Sequence, residues 1–298
     1  MSTMLRYRVV DVFARHAFGG NPLAVFADAP ALDTPLMLSI ARQMNLSETV
    51  FVRPSADQSR LAAFRIFTPT TELPIAGHPT IGATAVVLAQ RFGASWPTSA
   101  VVELRAGPVH LDIEQKGGAE HFVWMNQGVP VESTAPVAEP RALYRALGLD
   151  PSDASTDLDL GVLSVGVPTL IVPLRDEEVL ERATPAGLAM YFAAHPPTRI
   201  VYLVTENSSR ADISARMFGA LAVGIEEDPA TGVSAGPLAA CLHRSGRIAT
   251  NQEVVVNQGH SMGRSSYLHI RTDGSNVFVG GQVTDVASGD LTFDPRPM

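Results

Sequence analysis

Hydrophobic positions along the chain form two kinds of segment that recur in both halves. Short runs rich in β-branched and aromatic residues are typical of strands, whereas longer apolar runs are typical of buried helices. In the first half this pattern predicts strands over residues 6–14, 23–27, 47–53, 61–67, 101–104 and 109–113. It also predicts a strongly apolar, buried helix over residues 80–92.

An amphipathic helix is predicted between the second and third strands, with signals at both of its ends. Asp33 or Thr34 can cap its N-terminus, and Pro35 suits its first turn. Asn45 can end the helix in a left-handed conformation. The apolar stripe of this helix comprises Leu36, Ile40 and Met44.

The second half of the chain repeats this order of elements. Strands are predicted over residues 166–173, 200–205, 213–218, 253–256, 266–271 and 277–283, and helices over residues 184–194 and 234–245. The stretch "TELPIAGHPTIGAT" leads into the first apolar helix, and "IEEDPATGVSAGPLAACL" leads into the second. Glu, Pro and Gly have the same spacing in both stretches. The repeat indicates a duplicated unit of strands around one apolar helix.

The duplication predicts two domains, residues 1–128 and residues 129–283, with residues 284–298 returning to the first. A length of 298 residues suits two domains better than one hydrophobic core. The predicted junction is the segment "VPVESTAPVAEP", whose prolines and small residues are typical of a linker.

Composition and charge narrow the class of partner. Hydrophobic residues make up 46% of the chain and charged residues 17%, and the net charge is −8 with no run of like charge. A nucleic-acid surface needs clustered Lys and Arg, and a membrane span needs about 20 consecutive apolar residues, so the sequence favours neither partner. The N-terminus enters a strand directly and lacks the apolar core of a signal peptide, so we expect a cytoplasmic protein.

The sequence shows no cofactor signature. Its eight histidines include no pair spaced for zinc, and its glycines form neither a dinucleotide-binding nor a phosphate-binding fingerprint. Cys241 is the single cysteine, which excludes an internal disulfide, and its apolar helix predicts an inert core thiol. We therefore expect neither a metal nor an organic cofactor.

Both Glu–Pro–Gly stretches lead the chain to the N-terminus of a buried helix. Backbone N–H groups and the positive end of the helix dipole make such a terminus suitable for an anion. If a pseudo-two-fold axis relates the halves, the two helix N-termini face each other across one cleft. Such a cleft suits a small carboxylate substrate and an enolate-like charge beside it.

The segments "GNPLAVF", "MNLSETVFV", "RIFTPTTELPIAGHPTIGA", "EEDPATGVSAGPLAACL" and "QGHSMGRSS" occur in this order. Together they resemble the PhzF-like isomerases of phenazine biosynthesis, which share the diaminopimelate-epimerase-like fold. The resemblance implies an α+β fold of two pseudo-symmetric domains, each a curled, mostly antiparallel, barrel-like sheet around a central apolar helix, with the active site in the cleft between them. It also implies a homodimer and acid–base isomerisation without a cofactor, the family's type substrate being trans-2,3-dihydro-3-hydroxyanthranilate.

The resemblance assigns catalysis to Glu48, His78 and Asp228. Glu48 shares a strand face with two valines, and a carboxylate among apolar side chains is desolvated, which suits a proton shuttle. At a helix N-terminus His78 is favoured as a neutral imidazole that hydrogen-bonds the substrate. Asp228 stands where the first repeat has Leu73, so the duplication itself does not require an acid there. Each of the three also has a purely structural interpretation, as a surface, turn or helix-end residue.

The predicted substrate-binding residues are Asn21, Gly77, Gly232, Val233 and Ser234. The two glycines are predicted to form tight turns that expose backbone N–H groups. Glu72 and Glu227 are predicted to be structural residues that support these turns. The family has serine where this chain has Val233, so an expected hydroxyl is missing from the substrate site. Ser234 is predicted to cap its helix rather than to replace that hydroxyl.

Three functions compete at this point. The favoured one is an isomerase in which Glu48 removes a proton from a small carboxylate-bearing metabolite and returns it at another carbon. A lyase or cyclase could use the same acid–base site, and a non-catalytic small-molecule-binding or interaction protein could retain the fold, which Val233 favours. A racemase with two thiols is excluded, because the turns "AGHP" and "TGVS" carry no cysteine.

Overall fold

The computed structural model describes residues 3–116, 120–133, 137–195, 200–219 and 226–293. It is an α+β structure dominated by strands, which confirms the predicted fold class. The chain divides into two compact units. The N-terminal unit comprises Met1–Met125 and Gly281–Met298, and the C-terminal unit comprises Asn126–Gly280.

Among its described residues, the first 125 residues of the N-terminal unit contain two helices and the starts of eight strands. The strands are β1 Thr3–Val12, β2 Asn21–Phe26, β3 Glu48–Arg53, β4 Ala62–Phe67, β5 Glu72–Leu73, β6 Ser99–Leu104, β7 Gly107–Lys116 and β8 Glu120–Asn126. The helices are α1 Thr34–Met44 and α2 Gly77–Phe92.

The strands and helices of the C-terminal unit follow in chain order. The strands are β9 Val131–Glu132, β10 Gly161–Ser164, β11 Pro168–Pro173, β12 Ile200–Thr205, β13 Ile213–Gly219, β14 Glu227–Asp228, β15 Val254–Gln258, β16 Ser266–Thr272 and β17 Val277–Phe293. The helices are α3 Pro140–Ala146, α4 Glu177–Arg182, α5 Leu188–Ala194 and α6 Gly232–Arg244. The last strand, β17, continues from the C-terminal unit into the N-terminal unit.

The two units repeat one strand topology. In the N-terminal unit β2 pairs in parallel with β3, β3 is antiparallel to β4, and β4 pairs with both β5 and, in parallel, β6. In the C-terminal unit β11, β12, β13, β14 and β15 pair in the same order and with the same directions. The duplication inferred from the sequence pattern is therefore present in the strand ladders.

Each barrel-like sheet encloses one apolar helix. In the N-terminal unit this helix is α2, which is buried from Gly77 to Leu88 and contacts β1 to β4. Gly82 makes the close approach possible, because a Cβ atom there would lie 2.7 Å from side-chain carbons of both Val12 and Leu23. In the C-terminal unit α6 is likewise mostly buried and contacts β10, β11 and β16. None of the described helices is both long and apolar enough to span a bilayer.

The first helix confirms the signals read at its ends. Asp33 accepts a hydrogen bond from the Leu36 N–H at 2.9 Å, and Asn45 ends the helix at a φ of 52°. The predicted apolar stripe is only partly right. Ile40 is buried with Met37 and Ala41, whereas Leu36 and Met44 are half-buried at the edge of the cluster.

Two arginine–glutamate pairs mark equivalent positions of the duplication. Arg65 on β4 donates to both carboxylate oxygens of Glu72 at 2.7 and 2.6 Å. Arg216 on β13 donates to both carboxylate oxygens of Glu227 at 2.8 and 2.9 Å. Each glutamate therefore ties the short strand that precedes the central helix to its neighbour, as expected of a structural residue.

Helix assignments in the C-terminal unit need correction. The predicted helix 184–194 begins only at Leu188, and α4 precedes it unpredicted. The Asp176 side chain caps α4 by accepting from the Val179 N–H at 2.9 Å, and two glutamates follow in its first turn. These signals were present in the sequence, but a helix of six residues is too short to show apolar periodicity.

The carboxylate of Glu177, at the start of α4, gives the fold a testable dependence on acid. Burial raises its pKa, but hydrogen bonds from Ser214, Ser209 and Ser208 outweigh burial and lower the pKa from 4.5 to about 2. Because the folded-state value lies below the unfolded one, the stabilisation is complete above pH 4.5 and is lost as the pH falls toward 2. We expect Glu177→Gln to lower stability by about 1 kcal/mol at pH 7, after allowing for solvent screening. Urea denaturation of the wild type and Glu177→Gln at several pH values between 7 and 2 tests this prediction. A difference in the free energy of unfolding that stays equal at every pH would contradict it.

The single cysteine lies inside α6 and is 3% exposed. Burial raises the pKa of the Cys241 thiol to about 12, so roughly one thiol in ten thousand is ionised at pH 8. We expect a disulfide reagent to label less than ~5% of the native protein within an hour and one equivalent after denaturation. Rapid labelling of the folded protein would contradict the inert assignment.

Candidate active site

Glu48 is the first residue of β3 and is 7% exposed. Phe51 on the same strand packs with residues of α1, so the alternation of the strand turns Glu48, Val50 and Val52 to the opposite face. That face meets α2, which contacts β3. The strand places one carboxylate on an apolar, buried surface directly beside the central helix.

His78 is the second residue of α2 and is 5% exposed. Its Nε2 lies 3.1 Å from Oε2 of Glu48, within ion-pair distance. The alignment of the two groups falls short of a hydrogen bond, and among the described residues neither atom has another hydrogen-bond partner. A buried carboxylate and an imidazole therefore meet with donor and acceptor capacity left for a third group.

The N-terminus of α2 is not capped by a side chain. Its N-cap residue is Ala76, whereas Asp33 caps α1 and Asp176 caps α4 through side-chain oxygens. Gly77, the first residue of α2, has no left-handed backbone, and the turn lies before it. The prediction that Gly77 forms a tight turn is therefore wrong. The 16-residue helix points its uncapped, electropositive end toward the Glu48–His78 pair.

Asp228 lies on β14 in the C-terminal unit and is 6% exposed. Strand register places it opposite Met217, as Leu73 lies opposite Ile66, which makes it the repeat equivalent of Leu73. The Thr231 hydroxyl donates to Oδ2 of Asp228 at 2.5 Å.

A buried network around Gln258 holds the backbone of Asp228 and the hydroxyl of Thr231 in place. Gln258 is fully buried and donates through Nε2 to the Asp228 carbonyl at 2.7 Å and to the Thr231 hydroxyl at 3.0 Å. Its Oε1 accepts from the Thr231 N–H and from the Tyr202 hydroxyl, both at 3.1 Å. Burial raises the pKa of Tyr202, so its hydroxyl stays protonated and donates. Thr231, Gln258 and Tyr202 were not predicted as candidate site residues, although a glutamine at the end of an apolar strand was a visible signal.

The first residues of α6 differ from their predicted roles. Gly232 begins the helix without a left-handed conformation, so the predicted tight turn is wrong here as well. Val233, the second residue of α6 and the equivalent of His78, is half-buried. Ser234 is fully buried, and its hydroxyl lies 3.1 Å from that of Thr169. The helix has no side-chain cap, so the capping role predicted for Ser234 is also wrong.

Asn21 begins β2 and is fully buried. Its backbone pairs with Val12 on β1, and two residues further along β2 the register joins Leu23 to Glu48. The structure thus places Asn21 near the strand that carries Glu48 in the N-terminal unit. Across the described parts of the chain, no three His, Cys, Asp or Glu side chains gather as a metal site would require.

A sequence model of the family described as phenazine biosynthesis-like protein matches residues 10–289. The chain therefore belongs to this family, which we refer to as the PhzF family. The earlier resemblance is confirmed over almost the whole length of the chain.

Relatives and solved structures agree with this placement. The trans-2,3-dihydro-3-hydroxyanthranilate isomerase of Pseudomonas aeruginosa is 35% identical, over 96% of this chain and 99% of its own length. An uncharacterised isomerase of Mesorhizobium japonicum is 33% identical, over 96% of this chain and 98% of its own. A solved structure of a predicted epimerase from Pseudomonas aeruginosa superimposes with a TM-score of 0.84 at 33% identity, covering 96% of this chain and 99% of the other. The chain is accordingly an isomerase of the PhzF family.

Proposed function

We propose that this isomerase moves a proton within a small carboxylate-bearing metabolite, with Glu48 as the general acid and base. The observation that supports this proposal is the buried approach of Glu48 Oε2 to His78 Nε2 at 3.1 Å. A carboxylate with unused acceptor capacity, shielded from water, is suited to take up a proton from carbon and give it back.

The proposed reaction needs two proton transfers and no change of oxidation state. Glu48 as carboxylate takes a proton from a carbon whose electron pair delocalises toward an adjacent unsaturated system. Glu48 as carboxylic acid then returns a proton to another carbon of that system, so the enzyme ends as it began. His78 orients Glu48 and hydrogen-bonds the substrate, and the uncapped N-terminus of α2 stabilises the substrate carboxylate. Proton transfer of this kind uses only side chains, so we propose that no cofactor takes part.

The names of the relatives support a class of substrate. Several are named trans-2,3-dihydro-3-hydroxyanthranilate isomerases, at 33 to 35% identity. We propose a related substrate, a small unsaturated amino or hydroxy acid. We also propose Asp228 as a second catalytic carboxylate, because the Thr231 hydroxyl donates to it and is itself held by Gln258. The homodimer and the cytoplasmic location stay predictions.

A panel experiment tests this proposal. Small unsaturated amino and hydroxy acids are incubated with the wild-type protein in D₂O and followed by proton NMR. We expect one or more of them to gain deuterium at carbon together with a shifted double bond. Products of elimination or ring closure would favour the lyase or cyclase alternative. Tight binding without exchange or turnover would favour the non-catalytic one.

Val233 is expected to limit activity on the family's type substrate. A serine hydroxyl at this half-buried position would add one hydrogen bond to a substrate oxygen, with a net contribution of about 0.5–1.5 kcal/mol. We expect Val233→Ser to raise kcat/KM on trans-2,3-dihydro-3-hydroxyanthranilate by roughly tenfold. Val233→Ala is the matched control, since it removes the methyl groups without adding a hydroxyl. Efficient wild-type turnover with no gain from serine would show that the valine is neutral.

A further inference from the structure

A positively charged groove lies on the N-terminal unit, apart from the candidate active site. Its cavity has a volume of about 590 Å³, and it is lined by the ends of β3 and β6, the middle of β4 and the start of α1. Three arginines reach it: Arg53, Arg65 and Arg105. Two glutamates also line it, and one of them, Glu103, already pairs with Arg60 at 3.2 Å and with a serine hydroxyl. The groove is therefore cationic on a chain whose net charge is −8.

Arg53 has no carboxylate partner within ion-pair distance among the described residues. One of its terminal nitrogens donates to the Leu32 carbonyl at 2.6 Å. Its Nε is buried and has no hydrogen-bond partner in the part of the chain that the structure describes. A buried guanidinium nitrogen without an acceptor is costly, because water cannot replace the missing partner.

The other two arginines share Glu72. Arg65 engages it through two hydrogen bonds, and Arg105, which is 70% exposed, lies 3.6 Å from it. Hydrogen bonding by Arg65 and the nearby positive charges of Arg65, Arg105 and Arg53 lower the pKa of Glu72 against the opposing effect of burial. Glu72 thus pairs with only two of the three guanidinium groups, and donors remain for a second anion.

The duplicated unit shows that the fold does not require this arrangement. At the positions equivalent by strand register to Arg53 and Arg105, the C-terminal unit has Thr205 and Gly259. Arg216, the equivalent of Arg65, donates through Nη1 to three carbonyl groups at the end of α4. Within the described residues Nη1 of Arg65 has no such partner, and its side of the groove is open.

We propose that this groove binds a phosphate group, either free or as a monoester, between Arg53, Arg65 and Arg105. A tetrahedral dianion offers three oxygens to donors that approach from different directions, and guanidinium groups bind phosphate through paired hydrogen bonds. Thr34, the first residue of the 11-residue helix α1, lies at the edge of the groove, where its hydroxyl accepts a hydrogen bond from Nη2 of Arg65 at 2.9 Å.

This groove is separate from the Glu48–His78 pair. Glu48 begins β3 and Arg53 ends it, which places their backbones about 16 Å apart along the strand. A ligand in the groove therefore leaves the candidate active site open, and its binding can be measured without turnover.

Isothermal titration calorimetry with phenyl phosphate tests the proposal, with inorganic phosphate and succinate as parallel titrants. We expect saturable one-to-one binding of phenyl phosphate and phosphate by the wild type. Arg53→Gln and Arg105→Gln should each weaken it by about tenfold or more, the effect of losing hydrogen bonds to a charged group. Arg42→Gln is the matched control, because it removes one positive charge from the exposed last turn of α1 in the same unit.

Each other outcome overturns the assignment. Absence of saturable binding in the wild type removes the site. Wild-type affinity in either groove variant locates the anion elsewhere, and equal weakening in Arg42→Gln indicates general charge attraction. Succinate affinity equal to that for phenyl phosphate contradicts the preference for a tetrahedral dianion. Circular dichroism and melting temperature show whether each variant remains folded.

Discussion

Replacing Glu48 by glutamine is expected to lower kcat by more than ~100-fold, the usual scale for a positioned general base. Glutamine keeps the size and burial of the side chain but cannot accept a proton. The residue lies at the buried start of β3 beside His78, so the amide fits the same space and the fold should persist. Steady-state kinetics and ligand affinity, measured on the same preparation, separate loss of chemistry from loss of binding.

The matched control for this substitution is Glu178→Gln. Glu178 is exposed in the first turn of α4, far from Glu48 in sequence. Its replacement by glutamine makes the same change in charge and shape as Glu48→Gln. We expect it to retain wild-type kcat and KM. A Glu48→Gln variant that keeps most of its turnover would remove Glu48 from the mechanism.

Replacing Arg216 by methionine is expected to cost about 3–5 kcal/mol of stability. Arg216 is 9% exposed and engages both oxygens of Glu227 as well as three carbonyl groups that end α4. Methionine preserves the apolar stem but leaves a carboxylate and a helix end without donors. Urea denaturation measures the loss, and amide exchange in α4 should accelerate most, because its C-terminal carbonyls lose their partner.

The duplication supplies the control for this prediction. Arg65→Met breaks the equivalent pair with Glu72, but Arg65 is more exposed and donates to the Thr34 hydroxyl rather than to helix-end carbonyl groups. We expect it to cost less than half as much as Arg216→Met. Equal losses, or unchanged exchange in α4, would show that the helix-end contacts of Arg216 contribute little.

Local signals in the sequence predicted elements well where the structure is determined locally. Asp33 and Asn45 set the ends of α1, and alternation located β3 and β4 within one residue. The start of α2 was predicted three residues late, because the Gly-His-Pro segment resembles a turn although the helix begins there. The predicted end of β17 was ten residues short, because its second part is poor in apolar residues and is held by pairing with β1.

In the candidate site, too, the sequence indicated individual residues but not the contacts that the fold creates between them. Sequence pattern and family resemblance together indicated Glu48 and His78 as separate candidates, but only the packing of β3 against α2 brings their polar atoms to 3.1 Å. The network around Asp228 was not predicted, since Tyr202, Thr231 and Gln258 are far apart in sequence and meet only in the folded chain. The arginine groove was not predicted for the same reason, because its three arginines come from β3, from β4 and from the turn after β6.

The most direct test of the proposed mechanism is deuterium incorporation at carbon in D₂O, followed by NMR for the wild type and Glu48→Gln side by side. A substrate identified in the panel serves both samples. We expect the wild type to incorporate solvent deuterium at the carbon that gains the proton, and Glu48→Gln to stay at the level of the enzyme-free blank. Incorporation by Glu48→Gln at the wild-type rate would contradict the central claim that Glu48 carries the proton.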